Sequence, residues 1–179
     1  MSKKLLLHAC CAPCGAYSAE FLQSQGYDIT YFYYNPNIYP EAEYERRLEE
    51  LKRYSSERNI PLIIEEPDFD NWEKSVKGFE NEPEKGNRCR ICYEIRLKKT
   101  AEKAKNLGFD YFTTTLSISP HKSYEIIKEI SEELQNIYEI TYLDVNLKKQ
   151  DGYKKSVELS KKYNFYRQEY CGCKYSIRK

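Results

Sequence analysis

The sequence lacks long apolar runs and has almost no net charge. Its N-terminal apolar run, Leu5 to Leu7, is far shorter than the roughly 7–15 residues of an export signal. No other stretch approaches the about 20 apolar residues that a transmembrane helix needs. We therefore expect a cytoplasmic protein without a membrane partner. With 29 Lys and Arg against 28 Asp and Glu, the formal net charge is +1, so any contact with nucleic acid must use a local patch.

Methionine and tryptophan are also scarce, with one residue each, whereas tyrosine is abundant with 18. A length of 179 residues corresponds to one ordinary domain that can bury a real core. The content of 40% hydrophobic and 32% charged residues is typical of a soluble globular protein. Many of the tyrosine rings are expected in the core, and others are free to stack on bases.

The seven cysteines are an odd number, and they fall into three tight groups. A secreted disulfide framework would spread an even number of cysteines through a short, loop-rich chain. Clustering in a cytoplasmic protein instead indicates metal binding or redox chemistry. The three groups are Cys10/Cys11/Cys14, Cys89/Cys92 and Cys171/Cys173.

Strand-like and helix-like segments alternate along the chain. No repeat or low-complexity segment interrupts them. This alternation predicts one α/β domain over residues 1–179, with a mostly parallel sheet flanked by helices. The predicted strands are 5–9, 28–35, 60–66, 109–115 and 140–145; the predicted helices are about 12–22, 39–59, 69–76, 88–106, 122–138 and 151–164.

The predicted fold suggests where the cysteines lie. Ligands in open α/β sheets bind beyond the carboxyl ends of the strands. Cys10 and Cys11 end the first strand, and Cys14 enters the first helical turn behind Pro13, a residue favoured there. A helix N-terminus stabilises thiolates and anionic clusters. The loop after the first strand is therefore a natural site.

The other two groups can reach this site. Cys89 and Cys92 lie three positions apart near the start of a predicted helix, hence on one face of it. Cys171 and Cys173 belong to the C-terminal tail, which we expect to fold back over the same edge of the sheet.

Spacing alone leaves three chemistries open. The first is a structural zinc site, with Cys89 and Cys92 as half of its ligands. The adjacent pair Cys10 and Cys11 argues against zinc, because neighbouring side chains rarely both reach one small ion. In an iron–sulfur cluster, adjacent cysteines can bind different irons. Thioredoxin-like exchange by Cys11 and Cys14 is the third, and it leaves the other cysteines unexplained.

Five sequence blocks together resemble the QueH-type epoxyqueuosine reductases, and they span nearly the whole chain in order. The resemblance implies an iron–sulfur oxidoreductase that converts epoxyqueuosine to queuosine at the wobble position of tRNA. It implies a fold similar to the adenine-nucleotide α-hydrolases and PP-loop enzymes, without ATP use, because CCAPC replaces their Gly/Ser-rich phosphate loop. The blocks are HACCAPC (8–14), YNPNIYPEAEYERR (34–47), RCRICYEIRL (88–97), FTTTLSISPHK (112–122) and YRQEYCGCKYS (166–176).

The resemblance also implies roles for the cysteines, a tRNA partner and an unidentified electron donor. A second redox centre beside the cluster suits a two-electron reaction, since such a cluster moves one electron at a time. The implied roles are a 4Fe–4S cluster on Cys10, Cys11, Cys89 and Cys92, a single adjacent iron on Cys14, and a redox-active pair of Cys171 and Cys173.

Several residues of these blocks have two readings. Tyr34 either stacks on the substrate base or faces the core, and Asn35 and Asn37 either form a turn or contact substrate. His121 either donates a proton or caps the following helix. Lys122, near a helix start, is suited to a phosphate or ribose contact.

The remaining polar residues of the blocks suggest less. For His8 we expect a structural or supporting role rather than catalysis. Arg46, Arg47 and Arg88 are either solvated charges or phosphate contacts. A zinc-stabilised RNA-binding module, in which the cysteines only hold the fold, remains the non-enzymatic alternative.

Overall fold

The computed structural model describes residues 2–177 and has a five-stranded parallel sheet in the order β3-β2-β1-β4-β5. The strands are β1 (Lys3–His8), β2 (Tyr27–Tyr33), β3 (Leu62–Ile64), β4 (Tyr111–Thr114) and β5 (Thr141–Tyr142). The α-helices are α1 (Ala12–Ser24), α2 (Glu41–Glu57), α3 (Phe69–Val76), α4 (Asn87–Asn106), α5 (Tyr124–Tyr138) and α6 (Gly152–Lys162).

The central strand β1 is apolar on both faces because helices cover both sides of the sheet. Leu5 and Leu7 pack with residues of α1 and α2, whereas Leu6 packs on the opposite face with residues of α4 and α5. All three leucines are fully buried. The sheet thus separates two apolar cores, as the predicted α/β domain requires.

The direction in which successive strands are added to the sheet reverses between β1 and β4. From β1 it builds outward through β2 and β3, and it then crosses to β4 on the other side of β1. A crevice forms at such a switch point, beyond the carboxyl ends of the two strands. Cys10 and Cys11 follow β1 after Ala9, and Thr115 directly follows β4, so the first cysteine group lies at this crevice.

The predicted fold class is confirmed, and the differences concern the lengths of the elements. The edge strands β3 and β5 have only three and two residues, although their apolar runs are longer. The polar loop after β4 contains a short 3₁₀-helix, Leu116–Ile118. Among residues 2–177, no helix combines the length and apolarity that crossing a bilayer would require.

Candidate functional site

The three cysteines of the first group face one another. The Sγ atoms of Cys10 and Cys11 are 3.8 Å apart, and those of Cys10, Cys11 and Cys14 all lie within 4.8 Å of one another. Tetrahedral sulfurs on zinc, with bonds of about 2.3 Å, stand about 3.8 Å apart. The spacing of the Cys10 and Cys11 sulfurs is therefore one that a single tetrahedral ion could bridge, which weakens the sequence argument that neighbouring cysteines rarely both reach one small ion.

Six of the seven cysteines line two adjoining cavities. The larger, of about 240 Å³, is lined by Cys10, Cys14 and Cys171. The smaller, of about 30 Å³, is lined by Cys89, Cys92, Cys171 and Cys173. Cys11 is 1% exposed and lines neither. The residues shared by the two walls are Glu84, His121, Lys122, Cys171 and Ser176.

Buried Arg47 of α2 fixes the tail against the domain. Its guanidinium donates to the main-chain oxygens of Tyr170, at 2.9 Å, and Cys171, at 3.1 Å. Glu43 accepts from Arg47 Nε at 2.8 Å and from the Tyr166 hydroxyl at 3.0 Å. A salt bridge in the domain thus holds the main chain that carries the last two cysteines.

Glycine is required between the two tail cysteines. Gly172 has a φ of +111°, which other residues rarely adopt. A Cβ there would also lie 2.9 Å from a carbon of Ile38. The Gly172 oxygen accepts from the Tyr39 N–H at 2.8 Å, so the loop lies close against the segment after β2.

Two tail side chains contact cysteine sulfurs. Gln168 Nε2 lies 3.0 Å from Cys11 Sγ. The Ser176 hydroxyl lies 3.0 Å from Cys171 Sγ and donates to the Cys173 carbonyl oxygen at 2.8 Å. A hydroxyl has one hydrogen, so the Cys171 thiol is the donor to Ser176 in this arrangement.

Arg96 is a buried cation without an acidic partner. It is 2% exposed and lines the smaller cavity. Within residues 2–177 its guanidinium has one hydrogen bond, from Nε to the Cys92 oxygen at 3.3 Å, and no carboxylate within 4.0 Å. Burial opposes its charge, but the thiols of Cys92 and Cys10 outweigh burial and keep the pKa of Arg96 above its ordinary value. A buried cation is stabilised by an anion, and the cysteines that raise the pKa of Arg96 could supply one as thiolates.

The three thiols of the first group differ in how readily they lose a proton. Hydrogen bonds from Cys11 and Cys14, followed by the charges of Lys122 and Arg96, hold the pKa of Cys10 well below its ordinary value. The hydrogen bond to Cys10 raises the pKa of Cys11 to about 12, and the pKa of Cys14 is raised for the same reason. Cys10 is therefore the favoured thiolate of this group.

His8 has a structural role in the described geometry. Its Nε2 lies 3.1 Å from the Tyr34 carbonyl oxygen, an acceptor, so Nε2 carries the proton. Its Nδ1 then accepts from the Thr114 hydroxyl at 3.0 Å. Burial, followed by the charge of Arg96, lowers the pKa of His8 to about 4. Neutral His8 thus ties β1 to the ends of β2 and β4.

Three predicted substrate residues lie away from the cysteine cavities. Tyr34 is 4% exposed and stacks on Phe32 in the core, which favours its core reading. Asn35 is fully buried and donates to the Ala9 oxygen at 3.0 Å. Buried Asn37 lines a separate cavity. None of the three lines either cysteine cavity in the described part of the chain.

His121 and Lys122, in contrast, line both cysteine cavities. The His121 side chain is 61% exposed, and its Nδ1 is 3.9 Å from a Glu84 carboxylate oxygen. The predicted capping role of His121 is wrong, because Ser123 caps α5 by accepting from the Ile126 N–H. Lys122 is partly buried.

Two of the three candidate phosphate-binding arginines are structural. Arg47 holds the tail, and Arg88, 2% exposed, donates to the main-chain oxygens of Phe79, Glu80 and Glu82. Their burial contradicts the interpretation of both residues as solvated charges. A phosphate contact stays a prediction, since Arg47 also lines the larger cavity and Arg88 the smaller one. Arg46 is exposed, with its guanidinium 3.5 Å from the centre of the Tyr166 ring.

Sequence reasoning missed several residues of the site. Arg96, Gln168 and Ser176 all lie inside the motif blocks, one helical turn or a few residues from a cysteine, and that proximity was the available signal. Tyr153 and Arg167 line the larger cavity as well. Nothing in the local sequence around Tyr153 singles it out.

The sequence of this chain matches a known family over most of its length. The family profile described as epoxyqueuosine reductase QueH matches residues 5–179. The chain belongs to the QueH family. It is 43% identical over 180 residues to the epoxyqueuosine reductase QueH of Streptococcus pyogenes serotype M1, covering 97% of this chain and 70% of that protein. It is 46% identical over 176 residues to that of Acinetobacter baylyi, covering 98% and 81%.

Solved structures share the fold of this QueH-family chain at low sequence identity. A predicted subunit of tRNA methyltransferase from Methanocaldococcus jannaschii superposes with a TM-score of 0.62 at 15% identity, over 89% of this chain and 74% of that one. The U34-tRNA thiolase NcsA from Methanococcus maripaludis, solved with its 4Fe–4S cluster, gives 0.61 at 12% identity, over 99% and 62%. At these identities the two superpositions concern the fold alone, and they agree with the predicted α/β domain.

Proposed function

We propose that this chain performs the reaction for which its family is named, the reduction of epoxyqueuosine to queuosine in the wobble position of tRNA. Six cysteines around two adjoining cavities at the switch point of the sheet are the observation that best supports it. Removing the epoxide oxygen as water consumes two electrons and two protons and leaves a carbon–carbon double bond. The site must therefore deliver both electrons to one small cavity.

Cys10, Cys11, Cys89 and Cys92 would hold a 4Fe–4S cluster, and Cys14 would help to hold an adjacent single iron. The donor set fits, since soft thiolates are the ligands of such clusters, and Arg96, which has no carboxylate partner among residues 2–177, supplies a buried positive charge for an anionic group. When bound, the cluster would supply electrons one at a time, and the single iron would act as a Lewis acid.

Cys171 and Cys173 would be the second redox centre. Oxidation of two thiols to a disulfide releases two electrons and two protons, which matches the demand of the reaction. Cys171 is partly exposed and lines both cavities, whereas burial raises the pKa of Cys173 to about 11. An external electron donor, not yet identified, would reduce the disulfide again.

The larger cavity is the proposed substrate pocket. Its volume of about 240 Å³ accommodates a nucleobase, and its wall brings Cys171 close to His121 and Lys122. We assign His121 the donation of a proton to the departing oxygen and Lys122 a phosphate or ribose contact. A tRNA substrate places the protein in the cytoplasm.

Anaerobic incubation with epoxyqueuosine-containing tRNA and dithionite, followed by mass analysis of the nucleosides, tests the proposal. We expect queuosine to accumulate and the purified protein to be brown, with more iron than sulfide because the single iron adds to the irons of the cluster. Cys173→Ser is the matched inactive control. A colourless protein that contains zinc and leaves epoxyqueuosine unchanged would establish the zinc-stabilised alternative instead, which the close sulfurs of Cys10 and Cys11 also permit.

A further inference from the structure

An exposed tyrosine stands at the wall of the larger cavity. Tyr153 is 43% exposed and belongs to none of the buried apolar clusters in residues 2–177. Among the exposed aromatic residues of the described chain, Tyr39 and Phe69 line a different cavity. Tyr153 is therefore the most exposed tyrosine of this cavity, whose wall also includes the half-buried Tyr170 and the imidazole of His121.

The backbone before Tyr153 is held in an unusual conformation. Gln150 and Asp151 have φ values of 55° and 60°, in the left-handed region that residues other than glycine seldom adopt. At Gly152 a Cβ would lie 1.7 Å from the Leu147 carbonyl oxygen, so the chain permits only glycine there. Such strain persists only where the surrounding structure fixes it. The start of α6, and with it Tyr153, has a defined position at the cavity.

Arg167 of the tail accompanies the ring. Its guanidinium donates to the Tyr153 hydroxyl at 3.3 Å and lies 5.8 Å from the ring centre, over one face. With 43% of Tyr153 exposed, part of the residue is free to contact a planar ligand. Glu84 and Glu169 also line this cavity and partly cancel the positive charge of its basic residues. Stacking must therefore contribute much of the affinity for a ligand in the cavity.

We propose that Tyr153 is a stacking platform that holds the planar base of the substrate nucleotide in the larger cavity, with Arg167 supporting the ring from its other side. This inference rests on the proposed function, because it assigns that cavity to an RNA base. It gives Tyr153 the role that the sequence had suggested for Tyr34, whose ring lies in the core. Base–aromatic stacking tolerates any base, so Tyr153 contributes affinity and position, and selection of the modified base falls to other groups of the cavity.

The test is the affinity of the as-purified, iron-containing protein for an anticodon stem-loop that carries epoxyqueuosine, measured anaerobically by fluorescence anisotropy. Tyr153→Ala should weaken binding roughly 5- to 150-fold, the range of base–aromatic stacking, while Tyr153→Phe keeps the ring and binds like the wild type. Phe69→Ala, which removes a ring 38% exposed at another cavity, should also bind like the wild type.

Iron content and far-ultraviolet circular dichroism verify that each variant is folded. If Tyr153→Ala loses iron, Tyr153→Leu is the variant that tests the stacking role, because leucine keeps apolar bulk without an aromatic face. We expect Tyr153→Leu to bind the stem-loop as weakly as predicted for Tyr153→Ala. Wild-type affinity in the leucine variant, or equal losses in Tyr153→Phe and Tyr153→Ala, would overturn the stacking role. A wild-type protein that forms no queuosine would instead refute the proposed function, whatever Tyr153 does.

Discussion

The guanidinium of Arg47 donates to the main-chain oxygen of Cys171 at 3.1 Å, although 124 residues separate them in sequence. This bond and the Arg47–Glu43 pair make one buried arginine the link between α2 and the tail. Removing one partner of a buried ion pair leaves the other charge buried without a partner and typically lowers the free energy of unfolding by about 3–5 kcal/mol.

We therefore expect Arg47→Met to lower the free energy of unfolding by about 3–5 kcal/mol, measured by urea denaturation, and to expose the tail to limited proteolysis. Arg46→Met removes the neighbouring exposed arginine and is the matched control, with little change in stability expected. Equal stability of the two variants would contradict the role of Arg47 as the tail's anchor.

The proposed cluster ligands of α4 give a second prediction. Cys89→Ser and Cys92→Ser should each abolish both iron binding and epoxyqueuosine reduction, because a hard hydroxyl replaces a soft thiolate. Iron and sulfide analysis of the anaerobically purified proteins measures the effect. Full iron and sulfide in either variant would remove that residue from the ligand set.

The tail pair should behave differently from the ligands. Cys171→Ser and Cys173→Ser should keep the brown chromophore and strongly impair turnover, since neither thiol is assigned to iron. Absorbance spectra and nucleoside analysis separate the two effects. Loss of the chromophore in either variant would mean that the tail supplies ligands.

Lys122 should contribute to RNA affinity through charge. Lys122→Ala should weaken binding of the anticodon stem-loop and reduce the slope of log affinity against log salt by about one, with the cluster spectrum unchanged. Lys98→Ala, an exposed lysine that lines neither cysteine cavity, is the control. An unchanged affinity and slope in Lys122→Ala would place Lys122 outside the RNA surface.

Arg96 should raise the reduction potential of the proposed cluster, because a buried positive charge stabilises the more negative, reduced state. Arg96→Met should shift the potential to a more negative value in an anaerobic redox titration, and Arg96→Lys should stay near the wild type. Arg90→Met removes a charge from the same helix where it pairs with Glu129 and Glu94 at the surface, and serves as control.

If this explanation is correct, the reduction potential depends on the charge at position 96 and not on the shape of the side chain. Equal shifts in Arg96→Met and Arg96→Lys would contradict it. If Arg96→Met does not fold, the lysine variant decides, since a wild-type potential there supports the charge effect and a shifted one refutes it.

The family and the α/β fold could be predicted from the sequence because each depends on patterns that are local or repeated. Alternating apolar strands and amphipathic helices predict a parallel sheet, and the cysteine motifs point to one family. Helix α3 was predicted with its observed bounds, Phe69–Val76. The ends of the edge strands were not predictable, because apolar runs continue beyond the few residues that pair with a neighbouring strand.

The surroundings of the individual side chains were much less predictable. Tyr34 follows β2, and the sequence does not say whether its ring turns to the crevice or into the core. Arg47 and Arg88 look like surface charges because, apart from Glu43, the groups that accept their hydrogen bonds are main-chain oxygens, which leave no mark in the sequence. The contact of Gln168 with Cys11 joins residues 157 positions apart, beyond the reach of spacing arguments.

The position of the tail sets an order in which the site can be assembled during protein synthesis. Residues 166–176 are made after every strand and helix that carries the other five cysteines, and they then cover the crevice through Arg47, Gln168 and Ser176. Until they dock, the crevice is open on that side, so that a metal group could enter the proposed site. Docking of the tail would then be the step that closes the proposed site around the group it holds.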